Sequence, residues 1–326
     1  MSSAAGAGAQ HHPVQGVLLI LGAALCFASM DSTIRGLSIA SGFAVPVMLI
    51  LSLRYTTQAA LMALWLGWRR GRAGFAVAHP RFQALRGLLL LATSLCSFFG
   101  VHAMPVPEFT AINMLTPVLV TLLAGIVLHE RVSRLRWALV VGAFAGALIV
   151  IRPGSGLFGW AVLFPLLGAC TYASFQVLTR RMAGLDDPDT THFWTGAVGT
   201  ALLWPALAAL CLPRGHLWFM GVLGDLGRLP ALAWALIALV GVLGTVGHLL
   251  LIFALGKAPT ATLMPFIYLQ IAVAAGLGWL FFHHLPDAWG WVGMAVIGAC
   301  GAATAALNLG AATPADVAPP PQPDRA

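Results

Sequence analysis

Ten long apolar runs joined by mostly short connections constrain this chain more than any other feature of its sequence. A helix needs about 20 consecutive apolar residues to cross the hydrocarbon core of a bilayer. Only 8% of the 326 residues are charged, too few to cover a soluble protein of this size. The apolar runs do not alternate with polar residues, which excludes a membrane β-barrel. The sequence therefore predicts an all-α polytopic membrane protein with ten transmembrane helices.

The expected spans are placed by their apolar runs alone. Their limits are 14–35, 44–67, 82–102, 108–128, 137–152, 157–178, 191–212, 231–255, 260–283 and 287–308. The tails, 1–13 and 309–326, are rich in Ala, Gly and Pro and are expected to be disordered. Residues 1–13 contain no Lys or Arg, so no signal-peptide start is expected and the first run stays as a span. The segment 213–230 is expected to lie at the membrane interface.

The chain repeats itself. Residues 26–31 with Arg35 match residues 171–176 with Arg180, and the Pro, Trp and Gly at 107, 137 and 146 match those at 259, 289 and 298. Each half, 14–152 and 157–308, contains five spans, and an odd number forces the second half to enter the membrane in the opposite direction. Two inverted five-helix repeats are typical of secondary transporters, with the substrate site near the midplane between them.

The stretch from Pro105 to Gly154 carries a family resemblance. It reads PVPEFTAINMLTPVLVTLLAGIVLHERVSRLRWALVVGAFAGALIVIRPG, a Pro-interrupted helix, a short basic hinge, a Gly-rich helix and a closing Arg-Pro-Gly. This pattern resembles the first EamA-type repeat of the drug/metabolite transporter superfamily, and the resemblance extends over about residues 14–308. The chain has His129-Glu130 where the family usually has Gly-Glu. In the second half, Phe282-His283-His284 stands at that place.

The resemblance implies a secondary transporter that moves a small organic metabolite across the cytoplasmic membrane by alternating access. Family members carry amino acids, nucleosides or nucleotides, vitamins, S-adenosylmethionine and drugs, in either direction. The run 265–270 with 285–287 is similar to bacterial uptake carriers and favours uptake. An exporter of amino acids or drugs on the same fold stays open as an alternative, as does a membrane scaffold that transports nothing.

Motifs of catalysis and metal binding are absent from the sequence. It has no HExxH, no GxSxG and no Gly-rich phosphate loop. Its five Cys include no CxxC pair, which favours small buried side chains over metal ligands. We therefore expect no enzyme activity, no catalytic residue, no metal and no cofactor. The expected partners are a small-molecule substrate and the lipid bilayer, with proton coupling left open, no nucleic acid, and a monomer or homodimer.

The basic residues predict the orientation in the inner membrane. With the N-terminus in the cytoplasm, the inward loops carry ten Lys and Arg residues and the outward loops carry three. Cytoplasmic loops of membrane proteins are enriched in Lys and Arg. We therefore expect both termini in the cytoplasm.

Asp31 and Arg54 are the ionisable residues expected deepest in the membrane. Such groups are costly to insert and usually functional. Asp31 either pairs with Arg35 one turn later or faces the cavity and binds substrate or a proton. Arg54 faces a wet cavity, binds an anionic group, or forms a salt bridge with Asp31.

Further candidates for the cavity are polar or aromatic residues within the spans. Prolines in spans 4 and 9 free backbone carbonyls, which membrane proteins tolerate where helices line cavities. These residues could also serve only in packing or interhelical hydrogen bonds. The substrate-binding candidates beyond Asp31 and Arg54 are Asn113, Tyr172, Gln176, His248, Tyr268 and Gln270.

Overall fold

The structure, a computed structural model, describes residues 13–40, 45–127, 134–152, 158–181, 186–211, 227, 229–257 and 266–311. All long elements in these ranges are helices. They are α1 Pro13–Arg35, α2 Val47–Arg70, α3 Pro80–Ala103, α4 Val106–Asn113, α5 Thr116–Val127, α6 Arg134–Ile151, α7 Leu163–Arg181, α8 Pro188–Cys211, α9 Ala231–Lys257, α10 Leu269–Phe282 and α11 Ala288–Ala311. A π-helical turn, Gly36–Ala40, extends α1, and 3₁₀ turns follow α2 and precede α7.

These helices confirm the predicted all-α fold. Five described stretches are long and apolar enough to cross a membrane: Val14–Ile39, Val47–Phe75, Pro80–Ala103, Gly159–Thr179 and Ala231–Ala254. Shorter apolar helices occupy the places of spans 4, 5, 9 and 10. Most of the predicted tails, most of the 213–230 segment, His129-Glu130 and Pro265 lie outside the described residues, whereas Pro13 belongs to α1 and 309–311 belong to α11.

The fourth span is two helices instead of one. Helix α4 ends at Asn113 and α5 begins at Thr116, so the break falls near mid-span. The Thr116 hydroxyl donates a hydrogen bond to the Asn113 carbonyl at 2.8 Å. Proline cannot donate a backbone hydrogen bond within a helix, and Pro117 lies directly after the break. The Pro-interrupted pattern in the sequence predicted this interruption.

Helix pairing follows a two-fold relation between the halves. Helix α1 packs against α9, and its counterpart α7 packs against α3. Helix α2 contacts both α8 and α9, while α8 contacts both α2 and α3. When each helix is replaced by its counterpart in the other half, the α1–α9 contact becomes α7–α3 and the α2–α9 contact becomes α8–α3, while α2–α8 becomes itself. These pairings are the ones expected of two five-helix repeats related by a two-fold axis.

Helices α6 and α11 form a separate pair that packs mainly on itself. A Cβ added at Gly146 would lie 3.0 Å from the Gly293 carbonyl oxygen, so the two backbones approach closely. Gly142 and Gly146 lie four positions apart on one face of α6, and only small residues admit such an approach.

Polar contacts join the halves at both ends of the bundle. At the end we call the Asp189 end, Arg69 lies 3.4 Å from Asp189 and Arg70 pairs with Asp187. At the opposite end, the Glu108 end, His284 Nε2 lies 2.9 Å from Glu108 Oε1. Arg152 and Asp287 also pair at the Glu108 end, at 2.7 Å.

Candidate functional site

Arg54 is a buried cation at the centre of the helix bundle. Its side chain points inward from α2, and the residue is 1% exposed. One guanidinium nitrogen, Nη1, donates to the Ser94 hydroxyl at 3.3 Å, and the guanidinium carbon lies 4.8 Å from the Tyr55 ring centre. Its Nε has no hydrogen-bond partner among the described residues. A buried guanidinium usually has all its donors satisfied, so Arg54 has capacity for another partner.

A glycine face on α9 makes room for this guanidinium. A Cβ at Gly244 would lie 2.7 Å from Arg54 Nε. One turn to either side, Gly241 faces Thr57 and Gly247 faces Phe27. The three glycines lie at every third position and share one face of α9, against which α1 and α2 pack.

Asp31 lies near Arg54 without forming a direct salt bridge. It is buried and interacts electrostatically with Arg54. The ion pairs within 4 Å in the described part of the chain do not include Asp31. The expected pair with Arg35 is not formed, because Arg35 Nη1 donates to the carbonyls of Val101 at 2.8 Å and Met104 at 2.6 Å. Free carbonyls at the end of α3 compete for the guanidinium and hold it away from Asp31.

His248 belongs to the same buried region as Arg54. Its Nδ1 lies 2.8 Å from the Gly244 carbonyl, and it interacts electrostatically with Arg54. Its ring packs edge-on against Phe27 and lies 5.8 Å from the ring of His192.

Two members of this group were missed from the sequence. His192 is 1% exposed and Gln58 is fully buried. Gln58 Nε2 donates to the His192 carbonyl at 3.2 Å, while His192 Nε2 and Gln58 Oε1 have no hydrogen-bond partner among the described residues. We call Asp31, Arg54, Gln58, His192 and His248 the central cluster.

The missed residues had signals in the sequence. Gln58 follows Arg54 by four positions, which places both side chains on one face of α2. His192 was not a candidate, and span 7 was expected to begin at residue 191, one position before it. Helix α8 begins at Pro188 instead, which places His192 more than one turn inside.

Tyr172 is the third candidate that lies near Arg54, with which it interacts electrostatically. Its ring stacks on Phe175 at 5.7 Å, and the side chain is half-buried. Gln176 lies one turn further along α7 and is also half-buried. Asn113 lies at the break in span 4, and its Oδ1 is directed towards Gly168 of α7.

Two candidates, Tyr268 and Gln270, lie at the start of α10. Tyr268 is buried against α11, because a Cβ at Gly301 would lie 1.7 Å from its hydroxyl oxygen. Gln270 is buried near the start of α10. The described contacts do not connect either side chain to Arg54. The structure therefore brings together Asp31, Arg54, Tyr172 and His248, and it does not join Asn113, Gln176, Tyr268 or Gln270 to them.

The central cluster combines one fixed positive charge with polar atoms that lack partners. Arg54 offers a donor, Gln58 an acceptor, and His192 a ring nitrogen that does either. Charged and polar groups buried in a membrane protein face cavities or pair with one another. This arrangement can bind a small molecule with an anionic or strongly polar group.

The chain is similar to known transporters, both to a family as a whole and to individual proteins. The model of the EamA-like transporter family matches residues 14–152 and 159–305. A riboflavin transporter of Rhizobium johnstonii is 30% identical over 230 residues, covering 70% of this chain and 71% of the relative. A riboflavin transporter of Vibrio cholerae serotype O1 is 26% identical over 291 residues, covering 88% of this chain and 92% of the relative. The pseudopaline exporter CntI of Pseudomonas aeruginosa is 24% identical over 276 residues, covering 84% of this chain and 89% of the relative.

Proposed function

Because this chain belongs to the EamA-like transporter family, we propose that it carries a small organic metabolite across the cytoplasmic membrane by alternating access, in the direction of uptake. The family and the relatives are transporters, so the chain is a membrane transporter and not an enzyme. The proposal concerns the substrate, the direction and the residues that bind it.

Arg54 supports the placement of the substrate site. A buried guanidinium with one long hydrogen bond and an unpartnered Nε is costly in a membrane protein unless a ligand completes it. The substrate therefore has an anionic or strongly polar group that approaches Arg54, with Asp31, Tyr172 and His248 beside it. Asn113, Gln176, Tyr268 and Gln270 line the path along spans 4, 6 and 9.

Riboflavin is the first substrate to test, because two relatives are riboflavin transporters. It is a planar, polar heterocycle with a hydroxylated chain, which suits a site of hydrogen-bonding side chains and rings. An exporter is also a relative, so the assay must register transport in both directions.

The distribution of Lys and Arg supports the orientation. Placing the N-terminus in the cytoplasm puts ten basic loop residues inside and three outside. In that orientation the Asp189 end faces the cytoplasm and the Glu108 end faces outward.

The experiment uses purified protein reconstituted in liposomes, and the liposomes are preloaded with unlabelled riboflavin. Labelled riboflavin added outside should accumulate by counterflow through the wild type. Arg54→Gln should reduce this counterflow to the level of empty liposomes while its melting temperature stays near wild type. Arg54→Lys should rescue poorly, because a point charge does not copy the planar fork of donors.

Arg72→Gln is the matched control, since Arg72 is exposed at the Asp189 end. This variant should transport as the wild type does. A thermal-shift screen of the wild type against other metabolites covers the case in which riboflavin is not the substrate, because a bound ligand raises apparent stability. Full counterflow in Arg54→Gln contradicts the proposed site. A screen without any saturable ligand favours the scaffold alternative.

A further inference from the structure

A buried carboxylate lies at the Glu108 end, outside the central cluster. Glu108 is in the first turn of α4, and its side chain is only 7% exposed. Its Oε1 is bonded to His284 at 2.9 Å, and its Oε2 is buried without a hydrogen-bond partner among the described residues. A carboxylate near a helix N-terminus is common, but a buried carboxylate with only one hydrogen bond is unusual.

His284 connects this carboxylate to a cavity. The imidazole is 40% exposed, and it lines a cavity of about 420 Å³ at the same end. Other residues around the cavity are Arg35, Pro107, Phe281, Phe282 and His283. The histidine therefore lies between a cavity large enough for several water molecules and a carboxylate that has almost no exposure of its own.

Charges around Glu108 come from several elements. Arg35 of α1 interacts electrostatically with it and is fixed by its two backbone carbonyls. His283 lines the cavity, and the Arg152–Asp287 pair joins the ends of α6 and α11. On α3, His102 is exposed. The adjoining ends of α7 and α11 contain no acidic or basic residue.

The bond between Glu108 and His284 crosses between the repeats. Glu108 lies in the first region matched by the family model and His284 in the second. Gly278 packs on Pro107 beside it, since an added Cβ would lie 3.0 Å from Pro107 Cγ. Separating the repeats at this end must therefore break the bond.

We propose that Glu108 is a proton-binding site that couples opening of the Glu108 end to proton uptake from outside, an inference that rests on the proposed transport function. His284 accepts a proton from hydronium in the cavity on one ring nitrogen, which leaves a neutral water molecule. The proton on its Nε2 then moves to Glu108 Oε1, so His284 returns to the neutral form and Glu108 becomes neutral. The charge-assisted bond between the repeats is lost, and the end opens.

The first test does not depend on transport. Infrared titration of detergent-solubilised protein from alkaline to mildly acidic pH should show a carboxylic C=O band that grows as pH falls. The band should be smaller in Glu108→Gln, where other buried carboxylates such as Asp31 still contribute, and of wild-type size in the matched control Asp287→Asn. Asp287 suits this control because the Gly290 backbone N–H and Arg152 lower its pKa, so it stays ionised throughout. An unchanged band in Glu108→Gln overturns the proposal.

The second test uses liposomes with riboflavin as the probe. An acidic outside should increase wild-type uptake above that at equal pH, and Glu108→Gln should lose this increase while it retains equal-pH counterflow. His284→Gln should slow the response to the pH gradient. A wild type without counterflow contradicts the proposed function alone. Wild-type counterflow without a pH response, or a Glu108→Gln variant that responds as the wild type, contradicts proton binding at Glu108.

Misfolding of Glu108→Gln is covered by the His284→Gln variant, which keeps Glu108. Its infrared titration should show the carboxylic band shifted in pH relative to the wild type, because the carboxylate has lost its hydrogen-bonded partner. A band that does not move shows that Glu108 is not the group that titrates.

Discussion

Arg54 and Arg86 are both buried arginines, yet their surroundings differ. Arg86 Nε donates to the Thr179 hydroxyl at 2.8 Å, and its Nη1 donates to the Thr191 carbonyl at 3.1 Å and the Thr195 hydroxyl at 2.8 Å. Its guanidinium also lies 4.6 Å from the Phe175 ring centre. Arg86 therefore joins α3 to α7 and α8, and its role is structural.

The first residue-scale prediction concerns stability. Arg86→Leu removes three hydrogen bonds to a charged group, each of which contributes about 1.5–3 kcal/mol. We expect a lower melting temperature for Arg86→Leu and none of that loss for Arg54→Gln. Thermal unfolding of both variants in the same detergent measures the difference. Equal destabilisation by the two substitutions contradicts the division into a structural and a functional arginine.

Individual side chains were predictable from the sequence where depth alone decided the outcome. Arg54 was identified as buried because no snorkelling route exists from mid-span. The sequence left a pair between Asp31 and Arg35 open as one of two alternatives, because the observed partners of Arg35, two carbonyls at the end of α3, are distant in sequence. The contact between Glu108 and His284 was not predicted for the same reason, since 176 positions separate them along the chain.

At the scale of helices, close packing depends on particular glycines. A Cβ at Gly199 of α8 would lie 2.1 Å from Tyr55 Cδ1 of α2. The backbone of α8 therefore lies directly on the Tyr55 ring, and these two helices form part of the interface between the halves.

We predict that Gly199→Ala destabilises the fold by about 1–3 kcal/mol, the usual cost of overpacking. Gly276→Ala is the control, because no atom lies within 4 Å of an added Cβ there. It should be neutral or stabilising, since Ala is favoured over Gly in helices by about 0.5–1 kcal/mol. Tyr55→Leu combined with Gly199→Ala should recover part of the loss. Unfolding in denaturant measures all four proteins, and a neutral Gly199→Ala contradicts the α2–α8 contact.

The type of the helices and the approximate positions of most of them were predictable because hydropathy is a local property. Most predicted limits lie within a few residues of the observed helices, for example 231–255 against Ala231–Lys257. The shift in the start of α8 mattered more, because it changed the environment of His192. Helix starts depend on capping and loop contacts, such as Thr190 donating to the Gly74 carbonyl at 2.7 Å, which hydropathy does not contain.

At the scale of the whole molecule, the internal repeat predicted how the helices pair. The matches at residues 26–31 and 171–176 align α1 with α7. Their contacts with α9 and α3 are then equivalent, as observed. What the repeat does not predict is the chemistry at the two ends, because the matched positions there carry different residues.

The orientation gives a prediction at this scale. Reporter fusions at residue 326 and within 213–230 should give opposite readouts, with the C-terminus in the cytoplasm. A phosphatase that is active only outside and a fluorescent protein that matures only inside distinguish the two compartments. Identical readouts at both positions contradict the span count, and inverted readouts contradict the positive-inside orientation.

The two ends of the bundle are held by contacts of different kinds. The Arg70–Asp187 pair is exposed, with side-chain exposures of 37% and 50%, so dissolved salt screens it over a Debye length of about 8 Å. Glu108 in the opposite contact is only 7% exposed, so salt screens the Glu108–His284 contact less. Under the transport function and the proton binding proposed above, high salt weakens the contact at the Asp189 end and acid weakens the contact at the Glu108 end, so the two ends respond to different properties of the medium.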